Sequence, residues 1–157
     1  MVATDGSVAG AFGAALVGTW ELVLREDRTD AGALHPEPNL GATPTGLLVY
    51  DAGGHFCAQF MRRDRIGGAT LASASLPAGR NNSRAIDGYD AYFGRYTVEE
   101  NTQTVTQTLD GALAVENVGL VVTRRMEIVG DELTLRLPTT AADGSEVVRT
   151  LKWRRVA

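Results

Sequence analysis

The chain is poor in the residues that most often carry chemistry or cross-links. Its 157 residues include one cysteine, Cys57, and two histidines, His35 and His55. One cysteine excludes an intramolecular disulfide framework. Two imidazoles and one thiol, with no C-x-x-C, H-x-x-x-H or H-E-x-x-H spacing, do not supply the converging ligands that a zinc site needs. No metal and no cofactor is expected. A Gly-x-Ser-x-Gly elbow and a phosphate loop are also lacking, because Gly53-Gly54 and Gly67-Gly68 are not set between a strand and a helix. The net charge of −4 and pI near 5.1 leave no clustered positive field for nucleic acid or an anionic membrane. The small apolar stretch 8–17 has only Asp5 as a charge ahead of it. It lacks the basic flank of a secretory signal and falls short of the roughly 20 residues of a membrane span. These features point to the cytoplasm. The partners expected are a small-molecule ligand, with no nucleic acid and no membrane, and a homodimer is left open.

Sustained helical periodicity is missing as well. What the sequence does have is short runs of β-branched and aromatic residues broken by Gly, Asp and Asn, the pattern of an all-β sandwich or barrel. With 44% hydrophobic and 22% charged residues, the chain reads as one globular domain over 16–157, preceded by a flexible tail over 1–15. Eight strands are expected, at 18–25, 46–50, 55–62, 91–98, 104–110, 119–129, 132–137 and 146–156. Tight turns at Asp51-Ala52-Gly53-Gly54, Glu99-Glu100-Asn101, Gly130-Asp131 and Ala142-Asp143-Gly144-Ser145 make consecutive strands antiparallel neighbours. Two connections are long. One holds His35-Pro36-Glu37-Pro38-Asn39, and the other, over 63–90, holds Pro77 and a polar cluster at 80–84. Loops of that length usually act as lids or contain short helices.

Alternation along each strand sorts side chains into two sets. Trp20, Leu22 and Leu24 are expected inside, against Glu21, Val23 and Arg25. Phe56, Ala58 and Phe60 point inward, with His55, Cys57, Gln59 and Met61 outward. Tyr92, Gly94, Tyr96 and Val98 point inward, as do Val105, Gln107 and Leu109. Leu120, Val122, Arg124, Met126 and Ile128 follow, then Leu151 and Trp153. The interior so drawn carries Tyr50, Tyr92, Tyr96, Gln107 and Arg124, which is more polarity than a solid core tolerates. A barrel of about eight strands has room for one small ligand. Arg124 stands out, because parity gives no inward strand position to a carboxylate and a buried charge needs a partner. That partner is a loop acid such as Glu116, tyrosine hydroxyls or a ligand.

Several segments in order resemble the bacterial and fungal lipocalin-like domain family. They are Leu16-Val17-Gly18-Thr19-Trp20-Glu21-Leu22, then Pro44-Thr45-Gly46-Leu47-Leu48-Val49-Tyr50 with Gly54-His55-Phe56, then Tyr92-Phe93-Gly94-Arg95-Tyr96, and last Gly130-Asp131-Glu132-Leu133-Thr134-Leu135 and Leu151-Lys152-Trp153-Arg154-Arg155. The resemblance implies an eight-stranded antiparallel up-and-down barrel with two long loops over the mouth. It implies a structural plug in which Trp20 closes one end and Arg154 or Arg155 stacks across it, with Trp153 in the same closing group. The family's paired histidines on the fifth strand are replaced here by Thr106 and Gln107.

Three functions follow from this reading. The first is a binder of a small, mostly apolar or aromatic carbonyl- or carboxylate-bearing metabolite, held by Tyr50, Phe56, Phe60, Tyr92, Tyr96, Gln107, Val122 and Arg124. The second is a cofactor-free isomerase, cyclase or lyase in the same pocket, with Arg124, Tyr92 and Tyr96 on an oxyanion and His55 moving a proton. The third is a filled structural barrel.

Overall fold

The computed structural model describes residues 10–65 and 85–157. Their order is α1 (Ala11–Leu16), β1 (Gly18–Arg28), β2 (Leu34–His35), β3 (Thr45–Tyr50), β4 (His55–Met61), β5 (Tyr89–Glu99), β6 (Thr104–Ala112), β7 (Val121–Val129), β8 (Glu132–Thr140) and β9 (Glu146–Arg155). A single 3-10 turn, Val115–Asn117, precedes β7. All pairings between named strands are antiparallel, and β1 pairs with both β3 and β9, so eight strands close into a barrel. The short β2 is an added ninth strand on the far end of β1, through Asp27↔His35 and Arg28↔Leu34. All eight expected strands are present, and several run on further than turn residues suggested. β1 continues to Arg28, and β5 begins at Tyr89. Of the long connection over 63–90, residues 66–84, including Gly67-Gly68, Pro77 and the cluster at 80–84, lie outside the described residues.

One end is shut by packing. Residues 11–15, in the stretch expected as a tail leading through a short helix or turn into the first strand, form most of α1, which buries Phe12 and Leu16. The first amides of the helix are satisfied by Glu100 from the β5–β6 turn, whose carboxylate accepts from Phe12 N at 3.1 Å and Gly13 N at 2.9 Å. Its last carbonyls are satisfied from the barrel. Trp20 Nε1 donates to Leu16 O at 3.0 Å, and Arg155 donates to Val17 O at 2.8 Å and to Ala15 O. The Arg155 guanidinium lies 4.3 Å from the Trp20 ring centroid, a cation–π contact at the closed end. Arg155 is therefore the plug arginine. Arg154 faces outward and pairs with Glu21 at 2.8 Å, because it is one residue out of phase with the inward set on β9. Gly18 explains the start of the Gly-x-Trp motif. Its φ is +147°, and a Cβ there would sit 2.4 Å from Arg155 Nη1.

The opposite end is the mouth. It gathers β2, the segment 36–44, the 3-10 turn and the β8–β9 hairpin. The wall is not uniform on the way there. β7 pairs with β8 only from Met126↔Leu135 to Val129↔Glu132, while Val121–Arg125 pair with β6 and Arg136–Thr140 with β9. The two strands part toward the mouth, and Pro138, which has no N–H to give to a ladder, lies in the stretch of β8 held by β9 alone.

The core confirms most of the alternation and corrects it in one strand. Phe56, Ala58, Phe60, Tyr92, Val105, Gln107, Leu109, Val122, Met126, Leu151 and Trp153 are buried. In β1 the register against β9 slips between Leu22 and Leu24. That bulge puts one extra residue on β1 and reverses the faces beyond it. Leu24 is only half-buried, while Arg25 and Asp27 turn into the barrel.

Backbone contact fixes one further residue. A Cβ on Gly94 would lie 1.8 Å from Thr108 O, at the β5–β6 bulge. Replacing Gly94 by Ala is expected to cost about 3 kcal/mol or more, as overpacking against backbone does. Gly53→Ala, whose nearest neighbour is Asp51 Oδ1 at 3.5 Å, is expected to stay within about 0.5 kcal/mol. Urea unfolding of the two variants checks the contrast.

Candidate functional site

The barrel encloses a cavity with about 50 Å³ open to the centres of water-sized spheres. A single water needs roughly 10–15 Å³ by that measure, so the space holds a few non-hydrogen atoms. Leu48, Tyr50, Ala58, Phe60, Met126, Leu135, Leu137, Leu151 and Trp153 give it an apolar wall. Arg25, Tyr92, Gln107, Arg124 and Arg149 give it a polar one.

The charged part sits on the mouth side. Arg149 donates to both oxygens of Asp27, at 2.7 and 2.9 Å, across the β1–β9 pair. Both groups are buried, and the bidentate geometry compensates their desolvation. Arg25 is 4% exposed, with its Nη1 3.9 Å from Glu37 Oε1 on the mouth segment. Burial, and next repulsion from Arg149, pull its guanidinium down to about 10, against the attraction of Glu37, Asp27 and Asp90. Asp90, paired with Phe60 at the start of β5, is also buried. Arg124 is half-buried, and burial lowers its pKa, with Tyr92 and Tyr50 opposing and Arg149 adding to the shift.

The tyrosines stay protonated. Burial raises the Tyr50 hydroxyl far above its ordinary value, and the same cause, followed by the Asp90 charge, raises Tyr92. Gln107 Nε2 donates to the Tyr50 hydroxyl at 2.7 Å. Trp153 packs edge-on against Phe60 at 5.5 Å. Its Nε1 is buried and meets no acceptor.

Of the residues expected in the site, Tyr50, Phe60, Tyr92, Gln107 and Arg124 line the cavity together. Phe56 and Val122 are buried outside its lining. Phe56 supports it by stacking on Tyr50 at 6.0 Å. Tyr96 is inward but below the cavity. It packs edge-on against Tyr50, and its hydroxyl donates to Asp51 O at 2.5 Å in the β3–β4 turn. His55 is not in the site. Its side chain is 66% exposed, beside Asp51 at 3.6 Å. Parity on β4 already turned it away from Phe56, so it has no path to a reactant in the barrel, and Cys57 shares its outward face. Trp153, expected in the plug, instead lines the cavity. Glu116, raised as an internal partner for Arg124, is exposed on the 3-10 turn.

The expectation that no carboxylate shares the interior is overturned by Asp27 and Asp90. Continuing the alternation two residues back from Tyr92 and from Leu151 would have found Asp90, one residue outside the expected strand, and Arg149, within it. Nothing in the β1 pattern announces the bulge that brings in Arg25 and Asp27. Among the described residues, no group of three or more His, Cys, Asp or Glu is placed to hold a metal ion.

The Gly18–Trp20–Arg155 closure, the single-sheet barrel and the interior cavity agree with a comparison to known families. The sequence pattern of the lipocalin-like domain matches residues 17–156. The chain belongs to this family. Among curated proteins, none matches the chain. A lipocalin-like barrel is a ligand-binding scaffold in general terms, and its interior chemistry has to be read from the residues here.

The Asp27–Arg149 clasp sets a test of that interior. Asp27→Asn leaves Arg149 buried without its counter-charge and is expected to destabilise the fold by about 3–5 kcal/mol. Joint replacement, Asp27→Leu with Arg149→Met, is expected to recover most of the loss, since an apolar pair often substitutes for a buried ion pair. Chemical denaturation of the two variants decides it.

Proposed function

We propose that the barrel binds a small, mostly apolar or aromatic molecule through a carbonyl or carboxylate oxygen. The observation that carries this reading is the Trp153 indole N–H. It is buried in the cavity wall and has no acceptor. A buried donor left unmet costs about 1–3 kcal/mol, and an incoming oxygen atom would recover it. The surrounding polar wall has the same sign. Arg25, Arg124 and Arg149 present guanidinium N–H donors, and Gln107 directs its amide N–H to Tyr50. The wall is thus rich in donors and otherwise apolar, which suits a ligand that is apolar with one acceptor group.

A second reading rests on the protonated tyrosines. Tyr50 and Tyr92 hold their protons far into alkaline pH, next to the Arg124 charge. Groups of that kind stabilise an enolate-like oxyanion, so the same pocket suits a cofactor-free isomerase, cyclase or lyase. The proton acceptor would then come from Asp27 or Asp90, the buried carboxylates of the interior, and not from His55.

Titration with acetophenone and with benzoate is expected to change the tryptophan emission. Trp153→Phe is expected to remove the change while Trp20 emission persists. Arg124→Leu is expected to weaken benzoate binding about tenfold or more, as loss of a charged hydrogen-bond donor does. Native mass spectrometry of the purified protein shows any ligand already carried. If that ligand is converted over time by NMR, the enzyme reading holds. If neither probe binds and Arg124→Leu only unfolds the protein, the barrel is a filled scaffold.

A further inference from the structure

The segment between β2 and β3 lies over the charged half of the cavity. It is tied down on both flanks. His35 Nε2 meets Asp143 Oδ2 of the β8–β9 hairpin at 3.0 Å. Arg62 donates to Pro38 O, and Arg63 Nε to Thr43 O at 2.9 Å. Between these ties the chain sends two side chains toward the barrel. Leu40 is buried and joins the core cluster. Glu37 is 11% exposed and turns its two carboxylate oxygens to different tasks. Oε2 accepts from Leu40 N at 2.7 Å, which holds the turn, and Oε1 faces Arg25 at 3.9 Å.

The two ion pairs of the mouth differ in kind. Arg149 and Asp27 are on neighbouring strands and share two short hydrogen bonds. Arg25 and Glu37 face each other at a distance beyond hydrogen bonding, and Glu37 is on a loop. Arg25 is thus a buried cation on a rigid strand whose strongest anionic neighbour can move away. Glu37 leads the carboxylates that act on it.

Cavity size adds a second constraint. The cavity that Arg25 lines holds only a few non-hydrogen atoms. A ligand as large as one substituted ring needs part of the wall to yield, and the segment over Arg25, 36–44, lies outside the strand ladders.

We propose that Arg25 is the anion-receiving group of the barrel and that Glu37 is its resident stand-in, displaced by the carboxylate of an incoming ligand. This rests on the reading that the cavity binds an acceptor-bearing small molecule, and it narrows that class to carboxylates. The ligand carboxylate takes the place of Glu37 Oε1 at Arg25, its apolar body extends toward Phe60 and Tyr92, and the turn held by Glu37 loosens. No covalent step is involved. The exchange keeps the charge of the site constant, so the buried guanidinium is compensated with and without ligand.

The test uses benzoate and its neutral counterpart benzyl alcohol with the full chain, read by tryptophan emission and calorimetry. Glu37→Gln removes the competing charge and keeps an oxygen for Leu40 N. It is expected to tighten benzoate by about fivefold or more and to leave benzyl alcohol unchanged. In the unmodified protein, benzoate is expected to speed hydrogen exchange at the Leu40 amide, and benzyl alcohol is not. Arg25→Lys, which keeps the charge, is expected to retain weaker benzoate binding. Binding of both probes with no effect of Glu37→Gln and no change at Leu40 would overturn the displacement while leaving the binding reading standing. Absence of binding by either probe would overturn both.

Discussion

The bulge between Leu22 and Leu24 shifts β1 by one residue against β9. The buried charges on β1 follow from that shift. Without it, alternation from Trp20 would carry Leu24 and Glu26 inward, and Arg25 and Asp27 would face solvent. With it, Arg25 and Asp27 enter the barrel, Asp27 meets Arg149 across the ladder, and Arg25 comes under the mouth segment. A bulge is a local change in backbone pairing, yet here it adds one buried cation and one buried carboxylate to an interior that already holds Arg124, Arg149 and Asp90.

That interior is held by geometry more than by low polarity. Three guanidinium groups, two buried aspartates and Glu37 share a small volume. Desolvating each charge costs several kcal/mol, and only close, well-directed partners offset it. Asp27 and Arg149 have that geometry. Arg25 has a looser one, with attraction from three carboxylates and repulsion from Arg149. A buried cation on the cavity wall, facing a carboxylate carried by a loop, is weak support for stability and fits a binding role.

How much of this could be read beforehand depended on whether information was local. The strands and the outward position of His55 and Cys57 come from alternation and turn chemistry, which are short-range and survive in the sequence. Tyr50, Phe60, Tyr92, Gln107 and Arg124 were legible as cavity residues for the same reason. Arg155 over Trp20 needed only a choice between two adjacent arginines, and phase decides it in favour of Arg155. The bulge was not legible, because Val23 is as acceptable in a regular strand as in a bulge. Arg25 and Asp27 were lost with it. Glu37 was hidden by a different cause, since it reaches the cavity from a loop whose path is set by Leu40, His35 and the arginines of β4's end.

The two ends of the barrel divide the work. At the closed end, Trp20, Arg155 and Glu100 satisfy the backbone groups of α1 at both of its termini. Arg155 is committed there to carbonyls and to an indole face, so its charge is spent on closure and faces no cavity. At the open end, the arginines point to enclosed space, and the mouth segment meets them with a side chain, Glu37, in place of a backbone plug. The closed end is thus packed shut, and the buried ion pairs lie toward the other end, where the mouth segment carries Glu37. Phe60 pairs with Asp90 at the mouth ends of β4 and β5, so the aromatic rings of Phe60 and Tyr92 stand beside the charged groups and not beneath them. A ligand of the proposed kind would meet donors and aromatic rings side by side, with its oxygen atoms at the arginines and its apolar body on Phe60 and Tyr92.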